Sequence, residues 1–107
     1  MSKPLKLQII EHARALIEDE KHWCRRNLAN DLNGVPTSPT SKRAVQWCGL
    51  GAVIAAAYQL THDLDEAYRL GHEALRPRYG PSTVIYSNDV RGHAAVLALF
   101  DEVIAAG

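Results

Sequence analysis

Residues 44–60, Ala-Val-Gln-Trp-Cys-Gly-Leu-Gly-Ala-Val-Ile-Ala-Ala-Ala-Tyr-Gln-Leu, are apolar nearly all the way round a helical wheel. A helix with no polar face must be surrounded by other elements. In a chain of 107 residues, enough for one core without metal or disulfide help, this places a central helix at 44–60. Gly49 and Gly51 each cost a helix about 1 kcal/mol relative to Ala. Two glycines in three positions predict that another segment packs hard against this turn. Ala52, Ala55 and Ala56 permit the same close approach.

The flanking patterns supply the elements that surround it. Ile9, Ala13, Leu16 and Ile17 recur at i, i+4, i+7 and i+8, which predicts an amphipathic helix over 5–20 with Glu11, Arg14, Glu18 and Asp19 on the other side. Asp63, with Glu66 three residues on, opens a helix over 63–76 in capping-box fashion. Pro77 ends it. Val84-Ile85-Tyr86 reads as an extended stretch within 78–88 that inserts Val84 or Tyr86 into the core. Val96, Leu99, Phe100 and Val103 predict a last helix from about Asp89 to Ala105, with Asn88 or Asp89 as its N-cap. Residues 21–43 are rich in turn formers, and Asn33-Gly34 favours a tight turn. A plain loop and an irregular hairpin, with Trp23-Cys24 on one arm and Val35 on the other, fit equally well. The expected fold is therefore a single mostly α domain over 1–107. About four helices pack around a central apolar helix (44–60), with an irregular loop or small hairpin lobe at 21–43.

Net charge is zero, with twelve basic and twelve acidic residues. That argues against a generic nucleic-acid binder, whose affinity comes largely from phosphate neutralisation. The basic excess of the first half lies in Lys3, Lys6, Lys21, Arg25, Arg26, Lys42 and Arg43, which read as a solvated surface. The start of the chain has no signal-like apolar stretch, and no run approaches the length of a membrane span. The expected location is the cytoplasm, with Cys24 and Cys48 free rather than bridged.

Two chemistries are worth testing against these residues. Cys48, near the start of a helix, with His93 and Asp89 would make a thiol–imidazole–carboxylate nucleophile; in the bland alternative Cys48 is a small core residue. Cys24, Cys48, His22 and His93 hold metal-ligand types but lack short ligand spacing. Asn88-Asp89 has a complete explanation as a helix cap. No cofactor or metal is called for. The expected binding residues are Trp47, Cys48, Asn88, Asp89 and His93. Trp-Cys occurs twice in a chain with only two of each residue.

The run Trp47-Cys48-Gly49-Leu50-Gly51-Ala52 resembles a Trp-Cys-x-Leu-Gly-Ala motif of a family of small bacterial and phage proteins of unknown function. Trp23, then Ala29, Asp31 and Gly34, then the late Asn88-Asp89 and the closing helix through Ile104-Ala105 extend the resemblance along nearly the whole chain. It implies a cytoplasmic accessory protein and no particular activity. The leading expectation is a non-enzymatic protein that binds another macromolecule, with a protein as partner and neither nucleic acid nor membrane. The alternative is a cysteine-dependent hydrolase or transferase using Cys48, His93 and Asp89.

Overall fold

A computed structural model describes residues 3–107. Met1 and Ser2, where the reading for a signal segment begins, lie outside them. The described chain is mostly helical, with five α-helices. Helix α1, Leu5–Ile17, turns Ile9, Ile10, Ala13 and Ile17 into the core. On its other side Arg14 pairs with Glu18 one turn on, at 2.9 Å, and with Asp101 of the last helix.

Helix α2 is the buried centre, but it runs from Gly49 to Thr61 and not from residue 44. Every residue from Gly49 to Ala57 is buried. Residues 44–48 are drawn away from the helix because the 21–43 lobe claims their backbone. Gln46–Trp47 form strand β2, paired antiparallel with strand β1, Ala29–Asn30. Cys48 is extended (φ −77°, ψ 175°) and caps α2, its Sγ accepting from the Gly51 N–H at 3.3 Å. Periodicity could not detect this, because an apolar strand leading into an apolar helix looks like one longer helix.

Helix α3, Leu64–Glu73, begins as expected: Asp63 Oδ1 accepts from the Glu66 N–H at 3.1 Å. It lies close on α2 at Gly71, where an added Cβ would sit 2.5 Å from Ile54 Cγ1. The stretch expected to be extended is instead helix α4, Pro81–Tyr86, with proline pre-setting its first turn. Three β-rich residues were too few to override that start. Val84 does enter the core, whereas Tyr86 stays 54% exposed. Helix α4 runs on into a π-helical turn, Ser87–Arg91, that ends at Gly92 with φ +105°. Helix α5, His93–Ala106, therefore starts four residues later than expected, and buries Val96, Leu99 and Phe100.

The lobe is a small hairpin and not a plain loop. Asp31 N–H donates to the Val35 carbonyl at 2.8 Å around Gly34 (φ +79°), and Asn30 bridges Pro36. Its arms differ from those expected. Trp23 bridges Trp47 in parallel, and the Cys24 N–H donates to the Trp47 carbonyl at 3.1 Å. Val35 answers Asp31 instead. The lobe is seated on α2 where the two glycines predicted a close approach: a Cβ on Gly51 would lie 1.8 Å from the Leu28 carbonyl oxygen. No helix among the described residues is long and apolar enough to cross a membrane.

That contact is with backbone, which has little freedom to move aside. Gly51→Ala should therefore lower stability by about 3 kcal/mol. Gly80→Ala, whose Cβ would meet only the Arg76 guanidinium at 3.5 Å, should cost no more than about 1 kcal/mol, the N-cap preference for glycine over alanine at the start of α4. Urea denaturation of the two variants beside the parent checks both values.

Candidate functional site

Asn88, within the π-helical turn, is fully buried, and among the described residues it is the one polar or charged residue that is buried. Its Oδ1 accepts from the Trp23 indole N–H at 2.6 Å and from the Gly49 N–H at 2.8 Å. Its Nδ2 donates to the Cys24 carbonyl at 3.1 Å and to Asp89 Oδ1 at 2.9 Å. Indole and backbone N–H groups only donate and a carbonyl only accepts, so these partners fix which way round the amide lies. Both acceptor positions and both N–H groups are occupied. Asn88 and Asp89 thus do bind backbone, but not that of α5: Asn88 serves the first turn of α2, and Asp89 Oδ1 accepts from the Arg26 N–H at 2.9 Å. Arg26 has φ +71°, a conformation uncommon in a non-glycine residue, and the Asp89 bond holds it there.

The Trp23 ring, half-buried, lies 5.3 Å from the His93 ring at an interplanar angle of 49°. The Arg25 guanidinium lies 5.2 Å from the centre of the same indole, within cation–π range. His93 opens α5 and its Nε2 lies 2.6 Å from the Ile17 carbonyl. That carbonyl belongs to the last turn of α1, where carbonyls lack helical partners. Because a carbonyl only accepts, Nε2 carries the proton. Trp47 is half-buried and its indole donates to the Pro39 carbonyl at 3.1 Å, fastening the second half of the lobe.

Both cysteines are free and buried, Cys24 at 7% and Cys48 at 5% exposure. Burial pushes the Cys24 thiol up to about 12, with smaller contributions from Cys48 and Asp89. Cys24 Sγ donates to the Asn27 carbonyl at 3.5 Å. Burial also raises Cys48, against hydrogen bonds from the Gly51 and Leu50 N–H groups that lower it. A helix N-terminus favours thiolate, but desolvation is the larger effect here. No hydrogen bond joins Cys48 to His93 or Asp89 among the described residues. The types weighed as metal ligands do not gather either: no group of three or more His, Cys, Asp or Glu converges among the described residues. His22 lies apart, with Nδ1 donating to the Val45 carbonyl at 3.1 Å.

With that arrangement in view, one comparison decides the kinship. A family model matches residues 1–106. The chain belongs to the DUF6197 family. That family is described as one of unknown function. No curated protein and no solved structure matches the chain. For this DUF6197 member, the structure brings Asn88, Asp89, Trp23, Cys24 and Gly49 into one hydrogen-bonded knot. It places His93 beside the knot through Trp23, and Cys48 next to Gly49. Trp47 lies on the lobe side. Sequence reasoning missed the backbone partners, the Cys24 carbonyl and the Arg26 N–H, since backbone roles leave no residue signature. The Gly-x-Gly spacing was the usable sign of the Leu28 contact.

Removing the amide would leave the Gly49 and Trp23 donors and the Cys24 acceptor unpaired in the interior. Asn88→Ala should cost about 3 kcal/mol or more. Asn88→Asp should cost at least as much near pH 7, where a carboxylate would face the Cys24 carbonyl and Asp89. Its deficit should shrink as the pH falls and the new carboxyl takes up a proton it can donate. Denaturant titrations of both variants from acid to neutral pH read this directly.

The cysteines predict an alkaline limit. The Cys24 thiol rises from its ordinary value near 9 to about 12 on folding. The unfolded chain therefore loses this proton first as pH rises. The contribution is fully present below about 9 and is lost progressively toward 12. Denaturant stability should decline across that window, and less steeply in Cys24→Ser.

Proposed function

We propose that this DUF6197 protein is a non-enzymatic accessory protein that acts by binding another protein. The supporting observation is the tip of the hairpin, where Leu32 is 86% and Val35 54% exposed. Both flank a turn held rigid by Asp31, whose Oδ1 accepts from the Asn33 and Val35 N–H groups at 2.9 Å each. Aliphatic side chains projected from a pre-ordered turn bind at low entropic cost. The polar residues suited to chemistry have structural occupations: Asn88 on the backbone of α2 and the lobe, Asp89 on lobe backbone, His93 on Ile17, and Cys48 on Gly51. Two unbridged buried cysteines suit a reducing compartment, which favours a cytoplasmic setting. The bacterial or phage setting that the sequence resemblance implies belongs to the same reading.

Two measurements test it. Immobilised full-length chain exposed to extract of the native host should retain a protein above background; retention of none refutes the reading. Iodoacetamide at neutral pH should label Cys48 in the folded protein far more slowly than in the urea-unfolded chain. Rapid labelling of the folded thiol would instead favour the cysteine-dependent hydrolase or transferase built on Cys48, His93 and Asp89.

A further inference from the structure

We propose that the Asn33-Gly34 pair at the tip of the hairpin is a site of spontaneous covalent modification, at which Asn33 converts to aspartate and isoaspartate. The proposal stands apart from the protein-binding reading, although the residues on either side of the pair, Leu32 and Val35, are the ones which that reading uses. The step needs only water. The Gly34 backbone nitrogen attacks Cγ, the side-chain carbonyl carbon of Asn33. A bond forms between that nitrogen and Cγ, the Cγ–Nδ2 bond breaks, and ammonia leaves with the proton that the Gly34 nitrogen gives up. Water then opens the five-membered imide at either of its carbonyls. One opening gives aspartate. The other gives isoaspartate, in which the main chain runs through the side-chain carbon. One water is taken up and one ammonia released.

Three observations single out this asparagine. It precedes glycine, whose lack of a Cβ leaves the attacking nitrogen least hindered; Asn27, Asn30 and Asn88 precede Leu28, Asp31 and Asp89. It is the one exposed asparagine of the four, and an ideal Cβ on Gly34 would meet nothing within 4 Å, so the imide has room and water has access. Its side-chain amide is also unengaged among the described residues, since Asn33 enters their hydrogen bonds only through its backbone N–H. By contrast, Asn27 Nδ2 donates to Asn30 Oδ1 at 2.9 Å, Asn30 Nδ2 to Gln46 Oε1 at 3.4 Å, and Asn88 Nδ2 to the Cys24 carbonyl at 3.1 Å.

The turn opposes the step and sets its rate. The Asn33 N–H donates to Asp31 Oδ1 at 2.9 Å, and the Gly34 N–H donates to the Asp31 carbonyl at 3.0 Å. The attacking nitrogen is thereby engaged and must first be released. Both bonds lie at an exposed loop tip, where local opening costs little. Reaching the Asn88 amide would instead require breaking the buried knot.

The isoaspartate product does not fit the turn that made it. The hairpin closes with the Asp31 N–H donating to the Val35 carbonyl at 2.8 Å and the Val35 N–H donating to Asp31 Oδ1 at 2.9 Å. Isoaspartate adds one atom to the main chain inside this closure, so the closing bonds separate and the tip that carries Leu32 and Val35 loosens. Either product also adds a negative charge two positions from Asp31.

The test is incubation of the folded full-length chain in warm, mildly alkaline buffer, followed by mass spectrometry of the intact chain and of its peptides. A gain of about 1 Da should appear in the peptide that holds Asn33, with one ammonia released per gain. Labelling by an isoaspartyl methyltransferase should report the isoaspartate. Asn33→Ser should abolish the gain. Asp31→Ala, which removes the side-chain acceptor of the turn, should speed it about threefold or more. Both side chains lie at the tip, so unchanged thermal melting will show that the helical body of each variant is folded. The isoaspartate form, separated by its extra charge, should exchange its Asp31 amide hydrogen at least about tenfold faster than the parent. The proposal is overturned if the folded chain gains no mass while the urea-unfolded chain is modified at Asn33, because the turn would then protect the pair. It is equally overturned if the gain is spread evenly over Asn27, Asn30, Asn33 and Asn88, or if Asp31→Ala leaves the rate unchanged or lowers it. Unchanged exchange at Asp31 in the isoaspartate form would overturn the loosening of the tip.

Discussion

Asn88 ties together three segments that lie far apart in the chain. Its amide joins the N-terminus of α2, the Trp23-Cys24 strand of the lobe and the π-helical turn that precedes α5. A buried amide is costly when any of its hydrogen-bonding groups is unmatched. Here all are matched, and without it the Trp23 indole, the Gly49 N–H and the Cys24 carbonyl would each lose this partner. The lobe therefore has one admissible seating on the helical body. Asp89 extends the same arrangement outward by one residue, fixing the backbone of Arg26 in a conformation that the local sequence does not favour. The apolar core supplies the main driving force for collapse, but it is not directional. Register comes from the polar knot.

The glycines make that seating close. Gly49 meets Val96, with 2.5 Å between a built Cβ and Val96 Cγ2, and Gly51 meets the Leu28 carbonyl. The start of α2 is consequently pressed from one side by α5 and from another by the lobe. Cys48 sits at this junction as a cap. Its thiol accepts from Gly51, which occupies the sulfur that a catalytic reading would have needed exposed. In the same small volume, burial keeps both thiols protonated well above neutral pH. The conditions that make the joint tight are thus those that disfavour thiolate chemistry.

The helical body was largely legible from residue spacing. The stripe Ile9, Ala13 and Ile17 and the cap at Asp63 are local signals and both held, although the Glu66 carboxylate turns to Arg69 rather than back to the Asp63 N–H. The close approach at Gly49 and Gly51 held as well, and what failed were other features decided at a distance. Residues 44–48 had the composition of the helix that follows them, and only pairing with Ala29–Asn30 made them a strand. Val84-Ile85-Tyr86 had strand-like side chains, but Pro81 and the neighbouring helices made them α4. Asn88 and Asp89 carried the signature of a local cap, yet their partners lie 39 to 65 residues away. For the lobe, the individual bases were visible in the sequence; that they share one element with an uncovered leucine became apparent only once the hairpin was drawn.

That separation along the chain bears on how the protein is made. The lobe leaves the ribosome well before the asparagine that fastens it. Until that residue emerges, Trp23 and the Cys24 carbonyl have no interior amide to meet, and the lobe is held by its own pairing and its contacts with residues 45–51. The first three helices can associate during synthesis, but locking the lobe must wait for the closing stretch of translation. Shortened products that stop ahead of the π-helical turn would keep the pairing of the lobe with Gln46–Trp47 and lose the amide that ties Trp23 and Cys24 to the start of α2.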